Sequence, residues 1–138
     1  MLRVALVVAL LGLGIGAATA PASAGSQRFF FTPGPNGASC EIDVGVPGLS
    51  TQAWCVVGPP HLAARKAIGV ALTAAGAVKV CHGLHCVGNA PERTPTLPYG
   101  RSIGLGPFRC TSLRQGVRCI ATKLGHGFLL GSHGLSRV

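Results

Sequence analysis

The feature that most constrains this chain is the stretch from Tyr99 to Phe128, where Cys110 and Cys119 bracket one glycine turn and a second glycine turn follows. With Arg114 and Gly116 in a four-residue turn between Ser112 and Val117, Cys110 falls directly opposite Cys119, and a disulfide between them clamps a β-hairpin. Side chains alternate along a strand, so Phe108, Cys110, Val117, Cys119 and Ala121 share one face while Arg109, Thr111, Arg118, Ile120 and Thr122 share the other. The first face is suited to burial and the second to water. Gly125, His126 and Gly127 then turn the chain into Phe128, Leu129 and Leu130, so a third strand returns beside the hairpin.

Upstream, residues 27–31 read as a short apolar strand and residues 32–37 as a tight Pro/Gly/Asn loop. Residues 40–44 and 53–57 are two strands joined by the loop 45–52, a second clamped hairpin closed by Cys40 and Cys55 and loosely like the first. Over residues 59–77, Leu62, Ala63, Ala67, Ile68, Ala71, Leu72 and Ala75 approximate a helical stripe, which leaves room for one short helix near residues 61–75. Gly69 and Gly76 oppose that helix by about 1 kcal/mol each relative to alanine. Residues 78–81 and 86–88 suggest a third, tighter hairpin, and the proline-rich residues 89–98 an extended linker. The expected fold class is therefore mostly β, a small disulfide-stapled antiparallel sheet of clamped hairpins.

Residues 1–24 have the order of a secretory signal: Arg3 near the start, an apolar run from Val4 to Ile15, and a small-residue finish at Ala22, Ser23 and Ala24. Cleavage is expected after Ala24, with Ala20 the alternative, leaving residues 25–138 as one exported domain. The run from Val4 to Ala20 is shorter than the roughly 20 apolar residues of a spanning helix, so no transmembrane segment is expected after cleavage. All six cysteines lie beyond it. An even number in an oxidising compartment favours three disulfides, and the spacing suggests the local scheme Cys40 with Cys55, Cys81 with Cys86, and Cys110 with Cys119.

The chain holds 12 Lys and Arg against three acids, a formal net charge of +9. The acids are Glu41, Asp43 and Glu92, and none follows Glu92. Such a balance suits an anionic partner, either an envelope polymer or lipid headgroups, or else simple solubility in a protein that meets another secreted protein. Nucleic acid fits less well, because no array of stacking aromatics accompanies the charge. The residues expected to make contact are Arg101, Arg109, Arg114, Arg118 and Lys123. Arg109 and Arg118 lie near each other across the hairpin, where like charge costs stability unless an anion sits between them.

Three other chemistries have some of their parts. Cys81, His82, His85 and Cys86 form a compact ligand set that zinc or copper accepts, although in an oxidising compartment the thiols more simply pair with each other. His126, flanked by glycines, could shuttle protons in a small hydrolase with Asp43 or a glutamate to orient it and Ser102, Ser112 or Ser132 as nucleophile. No nucleophile-elbow motif supports that reading. Glu41 and Asp43 share a strand face, a first requirement for paired carboxylates in glycoside hydrolysis, but read more simply as solvent-facing partners of the abundant arginines. No catalytic residue and no cofactor are expected.

The Pro/Gly/Asn turn before Cys40, the step Leu97-Pro98-Tyr99-Gly100 with Ser102, and the spacing of Phe108, Cys110 and Ser112 form part of a wider pattern. It continues through Gly116, Val117 and Cys119 to Gly125-His126-Gly127-Phe128 with Ser132. This pattern resembles a domain-of-unknown-function family of small secreted actinobacterial proteins, common in mycobacteria. The likeness spans residues 29–132 and is strongest over residues 99–128. It implies secretion and a disulfide-bonded β-rich domain, and it implies no catalytic residue. The expected function is a secreted basic binding or cell-envelope-associated module.

Overall fold

The computed structural model describes residues 24–58 and 66–138. All of the expected leader, residues 1–24, except Ala24 lies outside the described residues, as does the first part of the expected helix, residues 61–65. Ten strands make up the rest: β1 (Ser26–Phe31), β2 (Ser39–Val44), β3 (Gln52–Val57), β4 (Ile68–Thr73), β5 (Val78–His82), β6 (Ser102–Leu105), β7 (Phe108–Leu113), β8 (Gly116–Ala121), β9 (His126–Gly131) and β10 (Gly134–Arg137). Consecutive strands pair antiparallel except β5 and β6, giving two five-stranded meanders, β1 to β5 and β6 to β10. The fold is mostly β and stapled by three disulfides, Cys40–Cys55, Cys81–Cys86 and Cys110–Cys119.

The two halves are built alike. In each, the disulfide joins the second strand to the third at directly opposed positions, Cys40 with Cys55 and Cys110 with Cys119. Phe30 flanks Cys40 and Val70 flanks Cys55 in the first sheet; Ile103 flanks Cys110 and Phe128 flanks Cys119 in the second. The inner faces of both sheets contribute to one core. At its centre Cys55 Sγ lies 3.8 Å from Cys119 Sγ. Both sulfurs are already disulfide-bonded, so this is a van der Waals contact between the two staples. Their sulfur fills the middle of a core with few large side chains, which explains how a chain with 5% aromatic residues closes two sheets on each other.

The faces expected around Cys110 are those observed: Phe108, Cys110, Val117, Cys119 and Ala121 are buried, while Arg109 and Arg118 are exposed. Leu113 pairs with Gly116, so only Arg114 and Gln115 form the turn, tighter than four residues but in the same register.

Three expectations need correction. Residues 68–73, assigned to a helix by their stripe, form β4, and no α-helix appears among the described residues. Gly69, Val70, Ala71 and Leu72 are all buried; a central strand covered on both faces loses the alternation that marks a strand, and its small residues then match helical spacing by chance. The third hairpin does not form either. β5 pairs with β4, and residues Leu84–Cys86 make a single 3-10 turn that brings Cys86 back to Cys81. The linker 89–98 is not extended throughout, since it turns at Glu92 and Arg93, where Thr94 N donates to Pro91 O at 3.2 Å, and beyond the turn it covers an edge: Phe31 N donates to Pro95 O at 2.9 Å and Leu97 N to Phe31 O at 2.7 Å. The outer strand β1 is thereby partly paired rather than left open.

Candidate functional site

The outer faces of the two sheets look away from each other and differ in chemistry. On the second sheet, one cross-strand row runs Ser102, Thr111, Arg118, Leu129 and Ser136, and the next runs Gly104, Arg109, Ile120 and Gly127. Arg109 and Arg118 are diagonal neighbours in adjacent rows, both exposed, with Gly104, Gly127 and small hydroxyl residues around them. Their direct cross-strand neighbours are uncharged: Gly104 and Ile120 for Arg109, Thr111 and Leu129 for Arg118.

The other three basic residues do not join this pair. Arg114 occupies the β7–β8 turn and lies over the Tyr99 ring, 5.2 Å from its centroid. Arg101 precedes β6 at that same end, where its carbonyl accepts from Ser112 N. Lys123 sits in the β8–β9 turn at the opposite end of the hairpin. Tyr99 and Arg114 serve a structural junction: Tyr99 OH donates to Pro33 O at 3.0 Å, Asn36 Nδ2 donates to Arg114 O at 3.0 Å, and Ser132 Oγ bonds Asn36 Oδ1. The Pro/Gly/Asn loop, Tyr99 and Ser132, separate pieces of the sequence pattern, meet here and tie the first sheet to the second.

On the outer face of the first sheet the rows are Phe29, Glu41, Trp54, Ala71 and Lys79, then Phe31, Ser39, Val56, Gly69 and Cys81. Trp54 lies over Gly69, where an added Cβ would come within 2.5 Å of the indole. Phe29, Phe31, Glu41, Trp54 and Val56, with residues 87–90, line a cavity of about 550 Å³. Sequence reasoning missed it. The only available signal was Phe29, Phe31 and Trp54 at outward-facing strand positions, and that becomes visible once three strands are laid side by side.

Glu41 and Asp43 do share a face, but they are not solvent-facing partners of arginines. Asp43 is 1% exposed and accepts from Gln27 Nε2 at 2.7 Å. Its second oxygen is buried with no hydrogen-bond partner among the described residues. Burial, then the hydrogen bond to Asp43, then the charge of Asp43 push the Glu41 carboxyl up from 4.5 to about 7. Two carboxyls side by side on one strand do not flank a substrate from two sides, as glycosidase carboxyls do.

The elevated value has a consequence for stability. A carboxyl whose folded value lies above its unfolded one contributes fully below the unfolded value and loses that contribution as pH rises through the folded one. Between pH 4.5 and about 7 the wild-type urea midpoint should therefore carry a falling component from Glu41. Glu41→Gln, which keeps a neutral donor in place, should flatten that component and raise the midpoint relative to wild type above pH 7. An unchanged slope in the variant would remove Glu41 as its source.

The hydrolase parts are not assembled. Ser102 Oγ bonds Thr111 Oγ1 at 2.7 Å, Ser132 bonds Asn36, and Ser112 Oγ is buried without a partner. His126 is exposed at the start of β9. In the alternative metal set, ligand atoms of Cys81, His85 and Cys86 lie within 4.8 Å of one another, without His82. The two sulfurs are joined as a disulfide, which leaves one imidazole and no thiolate for a metal ion. Among the described residues no helix is long and apolar enough to cross a membrane. Comparison with protein-family models, curated proteins and solved structures yields no match.

Proposed function

We propose that this protein is an exported, non-enzymatic binding module of the cell envelope that engages an anionic polymer or headgroup through Arg109 and Arg118. The reading places it with the small secreted actinobacterial proteins that its sequence pattern resembles. The observation that carries it is the exposed diagonal pair of arginines on a strand face with no acidic neighbour in its rows. Two like charges at that spacing cost the free protein some stability, which an anion lying between them recovers. Guanidinium groups suit this role because each presents a planar fork of donors to phosphate or carboxylate.

The test is co-sedimentation of the protein with the envelope of its producing cell across a salt series. Screening shortens from about 10 Å at 0.1 M to about 3 Å at 1 M, so binding at low salt should disappear at high salt. The double variant Arg109→Glu/Arg118→Glu should lose it at every salt concentration, whereas Lys123→Glu, at the far end of the hairpin, should lose only part. Unchanged binding by the double variant overturns the proposal.

A further inference from the structure

The cavity on the first sheet has a composition unlike the rest of the molecule. In a chain of net charge +9 with three acids, its lining contains one ionisable side chain among the described residues, and that side chain is Glu41. The strand register sets Glu41 directly between Phe29 on β1 and Trp54 on β3. Phe31 and Val56 lie in the next row and extend the apolar surface. A volume of about 550 Å³ lies within the size of sites that enclose small ligands.

We propose that this cavity binds an organic ammonium ion carried on an apolar body. The ammonium lies against Glu41 between the faces of Phe29 and Trp54, and the body runs over Phe31 and Val56. Aromatic faces carry negative charge density and attract cations whose hydration is weak, as alkylated ammonium groups are. The carboxylate supplies the matching full charge, in a partly desolvated setting where that charge is less screened than in water. An anionic amphiphile would meet Glu41 with nothing to compensate it. An uncharged one would fill the same volume without using the carboxyl. The site is independent of the basic face on the other sheet, so either reading can fail alone.

Because Glu41 must be ionised to pair with the cation, the ligand competes with a proton. The charged and titratable groups facing Glu41 are Asp43 beside it on β2, Lys79 at the far end of its row on β5, and His85, which lines a smaller cavity together with Glu41 and Trp54. Among the described residues His85 is the one imidazole that shares a cavity lining with Glu41, so variants of both residues are needed to assign any pH dependence.

Trp54 is the only tryptophan, and its fluorescence reports occupancy directly. The protein should be titrated at pH 5 and pH 8 with hexyltrimethylammonium, 1-hexanol and hexanoate. At pH 8 the ammonium compound should bind saturably and about tenfold or more tighter than either of the others. That preference should shrink at pH 5, persist in His85→Ala, and collapse in Glu41→Gln. The wild-type pH comparison stands even if a variant fails to fold. Equal affinity for the alcohol and the ammonium compound overturns the proposal, as does tighter binding of hexanoate, a preference independent of pH, or no saturable binding of any of the three.

Discussion

Replacing Cys110 and Cys119 together by alanine should cost roughly 3 to 5 kcal/mol, the larger part of what holds a domain of this kind folded. Closing the 9-residue separation is worth about 2.6 kcal/mol in the chain-entropy model, and the 15-residue separation of Cys40 and Cys55 about 3. The remainder comes from packing. Cys110, Cys119 and Cys55 are completely buried, and the two staples touch at 3.8 Å. Removing one pair of sulfurs leaves a void between the sheets that few neighbouring side chains are large enough to fill. The Cys81–Cys86 bridge closes only 5 residues at the edge of the first sheet, and its loss should cost about 2 kcal/mol. Urea unfolding of the two double variants checks the order, and equal costs would mean that the central contact contributes nothing. With both central pairs absent, or under reducing conditions, no folded state is expected.

The placement of those staples was legible in the sequence because alternation and cysteine spacing both act locally. Around Cys110 the inward and outward sets differ sharply in polarity, so the register follows from one hairpin alone. β4 was not legible for the opposite reason. A strand covered by the core on one side and by Trp54 on the other carries no polar face, and Gly69 is small because the indole occupies the space of its missing side chain. The short apolar run therefore matched helical spacing equally well. The basic face was only half legible: the hairpin register already set Arg109 near Arg118 among the five candidates, whereas only the fold commits Arg114 to Tyr99 and puts Lys123 at the far end of the hairpin.

Glu41 illustrates a third kind of limit. Its neighbour two residues on, Asp43, is visible from spacing, but the aromatic rings on either side belong to strands on both flanks. What the acid faces is decided by the strand order, which sequence reasoning had only in part. The two outer faces are therefore chemically opposite: a carboxyl set among aromatic rings on one sheet, and guanidinium groups with uncharged cross-strand neighbours on the other. The two halves differ on their outer rows while sharing the placement of a disulfide on their inner ones.

The register that separates inner from outer can be tested on one pair of consecutive residues. Phe128 is 0% exposed and lies beside Cys119, whereas Leu129 points to the outer face beside Arg118. Phe128→Ala should cost about 3 to 5 kcal/mol, since the ring fills the core next to a disulfide that cannot move inward to replace it. Leu129→Ala, on a half-buried outer position, should cost about 1 kcal/mol or less, because little apolar area leaves the protein interior. A one-residue slip of β9 would exchange these values, since every side chain of the strand would change face. Thermal unfolding separates the alternatives: the Phe128 variant should melt at least 10 °C below wild type, given about 4 to 8 °C per kcal/mol in a small domain. If instead the Leu129 variant is the weaker of the two, the pairing of β9 with β8 is wrong, and with it the outward placement of Arg118 on which the basic face depends.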